Sequence, residues 1–181
     1  MIENDKLSEL LEKAKNEENS YNWADAAKVY EQVAKIFLDK KKMEDAASAY
    51  KTLGRIYFLI SETTNTSNKF VESLNRTIEA YNKAANLFEE NENKAEQLEC
   101  KAESSFASGF IASSRNDAKT SYNNSIELFV EASKLFSEND DQESLARILS
   151  RAAFCFTLTQ PFLDNKIEGE HFFHKGSNLA S

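Results

Sequence analysis

Proline and glycine are nearly missing from these 181 residues: Pro161 stands alone, and glycine occurs only as Gly54, Gly109, Gly169 and Gly176. Strands joined by tight turns need both residue types. Their scarcity, beside abundant Ala, Glu, Lys and Leu, therefore points to an all-α chain. The glycines also never fall at the spacing of a phosphate-cradling loop, which disfavours a bound nucleotide. Cysteine is short too, and Cys100 and Cys155, each beside apolar neighbours, read as buried reduced thiols. Positive charge is in deficit, with 22 basic against 30 acidic side chains and a net charge of −8. Such a balance repels phosphate backbones and anionic lipid, so no nucleic-acid role is expected. The one basic run, Lys40 to Lys42, falls where it meets a helix C-terminus, and helix termination accounts for it. No window approaches the roughly 20 apolar residues of a spanning helix. The first residues, Met1 to Leu7, carry acids where a signal peptide needs a basic start. A soluble, cytoplasmic protein without direct membrane insertion is expected.

What is present is a repeat. Tyr30, Val33, Ala34 and Phe37 recur as Tyr81, Ala84, Ala85 and Phe88, and again as Phe129, Ala132, Ser133 and Phe136. The leading aromatics lie 51 and 48 residues apart. Trp23, Leu74 and Tyr122 stand seven residues before them, and Ala27, Ile78 and Ile126 three before. Three, four and seven are helix spacings, so each block is one face of a long helix. A period near fifty holds two helices and a turn, an αα-hairpin that buries its apolar face only against a neighbour.

The chain reads as a single helical-repeat domain over 1–181. A capping helix spans about 5–17, hairpins span about 21–61, 69–114 and 117–160, and a C-terminal segment covers 161–181, with one more short helix open to it between Glu170 and Leu179. Ser61 to Asn68 lacks any apolar residue and is expected to be an exposed, mobile loop between repeats. The aromatic ladder running from Trp23 to Phe156 alternates with alanines, which fits packing between helices better than a ligand groove.

Trp23, Ala26, Ala27 and Tyr30 match the first-helix pattern of tetratricopeptide (TPR) repeats, and Ala46, Tyr50 and Leu53 come close to its partner helix. Tyr50, Leu53, Gly54 and Tyr57 also fit the first-helix pattern, so the frame of the repeat stays open. The longer helices, with Asp25, Ala26, Ala27, Tyr30, Val33, Ala34 and Phe37 followed by Asp45, Ala46, Ala47, Ala49 and Tyr50, resemble the SNAP family of soluble attachment proteins, over about Asp5 to Leu158. That resemblance implies hairpins stacked into a right-handed superhelix. It also implies an adaptor that lies along a coiled-coil, SNARE-like partner in membrane fusion and vesicle transport and recruits an AAA-type ATPase. SNAP proteins carry an apolar, membrane-touching loop between their first two helices; Lys15 to Asn22 is polar here. Bundle binding carries over more readily than ATPase stimulation.

Chemistry is sparse. His171 and His174, with Glu168 and Glu170 beside them, could offer two imidazoles to a metal, but such sites need a third ligand and a second shell, so no metal or other cofactor is expected. No nucleophile has a visible base, and catalysis is not expected. In the Trp23 frame, the positions one, four, five, eight and nine residues after each leading residue face the groove, the last three carrying the candidate binding residues. They are Lys28, Glu31 and Gln32, then Glu79, Asn82 and Lys83, then Glu127, Val130 and Glu131. The line is polar and turns acidic toward its end, matching a helical partner with basic residues. Two alternatives stay open: a regulatory or oligomerisation module of a longer protein, self-associating through Phe154, Phe156, Phe162 and Phe172, and a metal-dependent enzyme built on the histidines.

Overall fold

Apolar side chains at steps of three and four, uninterrupted by proline, dictate helices with one buried face. A computed structural model describes residues 2–159, with side chains from residue 6 onward. Among them no strand occurs, and the helices follow in the order α1 (Ile2–Asn19), α2 (Trp23–Asp39), α3 (Met43–Thr63), α4 (Ser67–Glu90), α5 (Lys94–Phe110), α6 (Arg115–Glu138) and α7 (Gln142–Thr159). The fold is all-α, as expected. Segment 161–181, with its expected short helix, both histidines, Phe162 and Phe172, lies outside the described residues. None of the described helices is long and apolar enough to cross a membrane.

Helices α1 to α4 form one compact unit ending at Glu92, and α5 to α7 belong to a second that starts at Asn93. In the first unit α1 packs on α2, α2 on α3 and α3 on α4. Ala14, Val33, Ala34, Leu53 and Ile56 form the centre of its core. Burying Val33, Leu53 and Ile56 contributes about 1.5–3 kcal/mol each. Alanines at 26, 27, 46 and 49 let the backbones approach while Tyr30, Phe37 and Tyr57 fill the gaps. Glu18 ties three helices together: the Tyr30 hydroxyl donates to it at 2.6 Å and the Arg55 guanidinium pairs with it. In the second unit α5 packs on α6 and α6 on α7, around fully buried Phe106, Phe129, Ile148 and Leu149.

The turns explain how a chain so poor in glycine reverses direction. Tyr21, Lys41, Glu92 and Asp140 all adopt φ between 55° and 59°, the left-handed region that favours glycine. After α2, the Lys42 amide donates back to the Phe37 carbonyl at 2.9 Å and that of Lys41 to Leu38 at 2.9 Å, and the same pair of bonds closes α1 and α6. Of the run Lys40 to Lys42, Lys40 is the C-cap of α2, while Lys42 precedes α3 and pairs with its Asp45 at 3.3 Å.

Ser61 to Asn68 is not the loop that its polarity suggested. Helix α3 runs through Thr63 and α4 begins at Ser67, leaving three residues between them. The Ser61 and Thr63 hydroxyls donate back to carbonyls of the preceding turn, at 2.6 Å to Phe58 and 3.1 Å to Leu59, so their polar atoms are satisfied on a helix.

The aromatic blocks are core: Tyr30, Phe37, Tyr81, Phe88, Tyr122, Phe129 and Phe136 are all buried. Phe154 departs from the ladder, at 47% exposed with its ring against that of Phe106, while Phe156 is buried. Cys100 and Cys155 are buried and form no disulfide, and burial pushes the Cys155 thiol up to about 12.

Candidate functional site

Helices α2 and α4 flank α3, and the faces they turn toward one another enclose a cleft of about 280 Å³. Glu31 and Lys35 line it from α2; Tyr50, Leu53 and Tyr57 form its floor on α3; Arg76, Glu79, Ala80 and Lys83 close it from α4. A second hollow of about 280 Å³ shares Glu31, Tyr57 and Arg76 with the first and continues along the same helices past Lys28, Ile60, Lys69 and Glu72. The two read as one groove, narrowed where Tyr57 bridges its walls.

That bridge is polar. The Tyr57 hydroxyl donates to Glu31 Oε1 at 2.6 Å and accepts from Arg76 at 3.3 Å, and the guanidinium lies 5.4 Å from the centre of the Tyr57 ring. Burial and the Glu31 carboxylate push the phenol up to about 12, so Tyr57 stays protonated at neutral pH. Its hydrogen bond holds the Arg76 guanidinium above its usual range. Further along α4, Lys83 donates to Glu79 at 2.7 Å and its ammonium sits 5.6 Å from the Tyr50 ring centre. Each partner of that pair favours the other's charged form, lowering the Glu79 carboxyl and raising the Lys83 ammonium.

Of the residues expected to bind, Lys28, Glu31, Glu79 and Lys83 line this groove. Lys28 is also paired with Asp25 at 2.7 Å, on the exposed surface of α2. Gln32 and Asn82 are exposed but do not line it. Glu127, Val130 and Glu131 belong to α6 in the second unit, the two glutamates exposed and the valine half-buried. Counting forward from each leading residue missed Lys35, Lys69 and Arg76, and with them the sign of the groove. Five cations, Lys28, Lys35, Lys69, Arg76 and Lys83, stand against three carboxylates, Glu31, Glu72 and Glu79. The walls of the first unit are therefore cationic on balance, in a chain of net charge −8. The signal was in the sequence, since those cations recur at seven-residue steps.

The second unit holds another arrangement that the sequence reading did not find. Glu99 and Glu103 lie one turn apart on α5, both buried, and pair with Arg147 and Arg151 one turn apart on α7. Arg151 Nε donates to Glu103 Oε1 at 2.8 Å, and its guanidinium lies 4.6 Å from the Phe106 ring centre. Both pairs span 48 residues, the spacing of Tyr81 and Phe129. Carboxylate and guanidinium are thus offset by the same 48 residues in both pairs, on α5 and α7. Among the described residues no cluster of three or more His, Cys, Asp or Glu could hold a metal.

No protein-family model matches the sequence, and no curated protein matches it either.

Proposed function

We propose that this protein is a non-catalytic, cytoplasmic scaffold of TPR-like or SNAP-like build that binds a helical or coiled-coil segment of another protein along the groove between α2 and α4. The reading is supported by one observation above all. Two long helices set their charged faces opposite each other over a floor of Tyr50, Leu53 and Tyr57, leaving a concave strip that is neither packed shut nor apolar enough to demand a permanent cover. Elongated grooves of this kind suit helix-in-groove recognition, in which apolar contacts at the floor add affinity and charges along the walls set register and partner choice. The hairpins would stack into a right-handed superhelix, and a SNARE-like coiled coil with an AAA-type ATPase is the partner set that the SNAP resemblance suggests, within vesicle transport.

The test is paired affinity capture with the full chain and with a Lys35→Glu/Lys69→Glu variant, both residues being exposed on the groove walls. A helical partner retained by the wild type, lost by the variant and cross-linked to α2 or α4 supports the scaffold. Recovery of an AAA-type ATPase in the same capture supports the SNAP-like adaptor. An identical set of proteins from both baits removes the groove as the binding site.

A second reading, an oligomerisation module, draws on Phe154, whose ring stands 47% exposed. Sedimentation of the wild type and of Phe154→Ser separates it: a concentration-dependent mass that the substitution abolishes favours self-association, and a monomer in both cases disposes of it.

A further inference from the structure

We infer that the groove of the first unit takes a single amphipathic helix whose carboxylates recur every seven residues. The inference rests on the scaffold reading and adds the chemistry of the partner.

The cations on the two walls are not scattered. On α4 they are Lys69, Arg76 and Lys83; on α2 they are Lys28 and Lys35, so every step is seven residues. Seven residues are close to two turns, which returns a helix to nearly the same face about 10.5 Å further along. Each wall therefore carries a straight row of positive charge facing the groove. A helix laid along the groove repeats its own face at the same interval. Carboxylates in a seven-residue register would then stay opposite the row at its own interval, while spacings of two, five or six would rotate them away.

An extended chain does not match. At about 3.3 Å per residue, 10.5 Å corresponds to three residues, an odd number that turns the next side chain to the opposite face. A polyproline-type chain repeats every ~9.3 Å and falls out of register by more than 2 Å over the two steps of α4.

The carboxylates on the walls offset part of each row, as Asp25 does at Lys28, through exposed pairs that are individually weak and open to exchange with an acidic partner. Glu31 accepts from Tyr57, Glu79 accepts from Lys83, and Glu72 lies 3.7 Å from Arg76. Lys35 and Lys69 make no hydrogen bond or ion pair among the described residues and are exposed. They hold the charge excess that an acidic partner would neutralise, one from each wall.

The experiment uses the full chain and fluorescent helical peptides of three heptads, ~32 Å long. One carries Glu at every seventh position; a second holds the same Glu residues in scrambled positions; a third replaces them with Lys. Binding is read by anisotropy at low and at raised salt. The expected result is that the acid-striped peptide binds at least roughly tenfold more tightly than the scrambled one, that salt weakens it, and that Lys35→Glu/Lys69→Glu reverses the preference toward the Lys-striped peptide. Arg76→Glu is the second variant, and far-UV circular dichroism confirms that both stay folded. Equal binding of striped and scrambled peptides overturns the register argument. Preference of the wild type for the Lys-striped peptide overturns the partner chemistry but leaves the scaffold reading standing. Duplex DNA displacing the striped peptide at matched charge assigns the rows to phosphate and overturns the inference. If no peptide binds while the cleft variants still lose a captured protein, the acidic helix is wrong and the scaffold survives; if neither is seen, both fail.

Discussion

Gly54 on α3 and Tyr81 on α4 make one contact that the packing of the first unit cannot relax, and a double-mutant cycle across it tests the helix arrangement on which the groove depends. A Cβ built on Gly54 would stand 2.8 Å from three atoms of the Tyr81 ring, closer than any such contact tolerates. In the wild type, Gly54→Ala must push the helices apart or turn the ring, at about 1–3 kcal/mol, against a helix-propensity gain of about 1 kcal/mol. The net effect is a destabilisation of up to about 2 kcal/mol. Tyr81→Ala removes a buried ring and costs about 3–4 kcal/mol, by analogy with other aromatic truncations. In that background the new methyl meets no ring, so Gly54→Ala turns stabilising by up to about 1 kcal/mol, and the coupling between the sites is about 1–3 kcal/mol. Trp23, the only tryptophan, is packed against the core of the same unit, so urea unfolding followed by its fluorescence reads the right cooperative block. A control, Glu79→Ala at the exposed wall, should change stability by less than about 0.5 kcal/mol. If Gly54→Ala has the same effect in both backgrounds, α3 does not meet α4 at this point and the groove geometry is wrong.

Arg151→Ala strips the guanidinium from buried Glu103 and, since Arg151 itself is partly solvated, should cost about 2–3 kcal/mol, most of it recovered in Glu103→Gln/Arg151→Met; urea midpoints decide, and a loss no larger in the single than in the double variant refutes the pairing argument. Lys41→Gly relieves a side chain held at φ 55° and should stabilise the chain by about 0.5–1 kcal/mol, whereas Lys41→Ala gives no gain; thermal melts giving equal shifts would discount the strain. The Cys155 thiol rises from an ordinary 9.0 to about 12 on folding, so its contribution is complete below pH 9 and drains away as pH climbs toward 12, because only the unfolded thiol then releases its proton. Stability measured from pH 8 to 11 should therefore fall more steeply in the wild type than in Cys155→Ala, and native Cys155 should resist alkylation at pH 8; parallel curves would show that the thiol does not titrate this way.

The helices were legible because their signal is local. Tyr30, Val33, Ala34 and Phe37 need only the 3.6-residue period to be recognised as one buried face, and the same step repeats at Tyr81 and Phe129. The polar run at Ser61 to Asn68 misled for an equally local reason. Polarity argues against burial, not against a helix, and serine and threonine hydroxyls can return their hydrogen bonds to the turn below. The groove was half legible. Offsets of five, eight and nine from Trp23 and Leu74 reached Lys28, Glu31, Glu79 and Lys83, but so few positions sample a wall thinly, and Lys35, Lys69 and Arg76 sit at other offsets on the same walls.

What stayed hidden depends on pairs of helices and not on any one of them. Gly54 meets Tyr81 and Gly109 meets Tyr122, yet the glycines lie 55 residues apart and the tyrosines 41, neither of which is the repeat period, so no alignment of the repeats would have matched them. The small residue is placed wherever the next helix brings a ring, and that is settled only when the two helices pack. Glu99 with Arg147 and Glu103 with Arg151 are the opposite case. Their 48-residue separation is the period itself, so reading charge at one repeat offset, as apolarity was read, pairs them from the sequence alone. A carboxylate buried on α5 demands a cation within reach, here on α7, since an unpaired charge there costs several kcal/mol. Charge read across the 48-residue spacing locates contacts between helices, whereas apolarity read along the chain locates only the helices that make them.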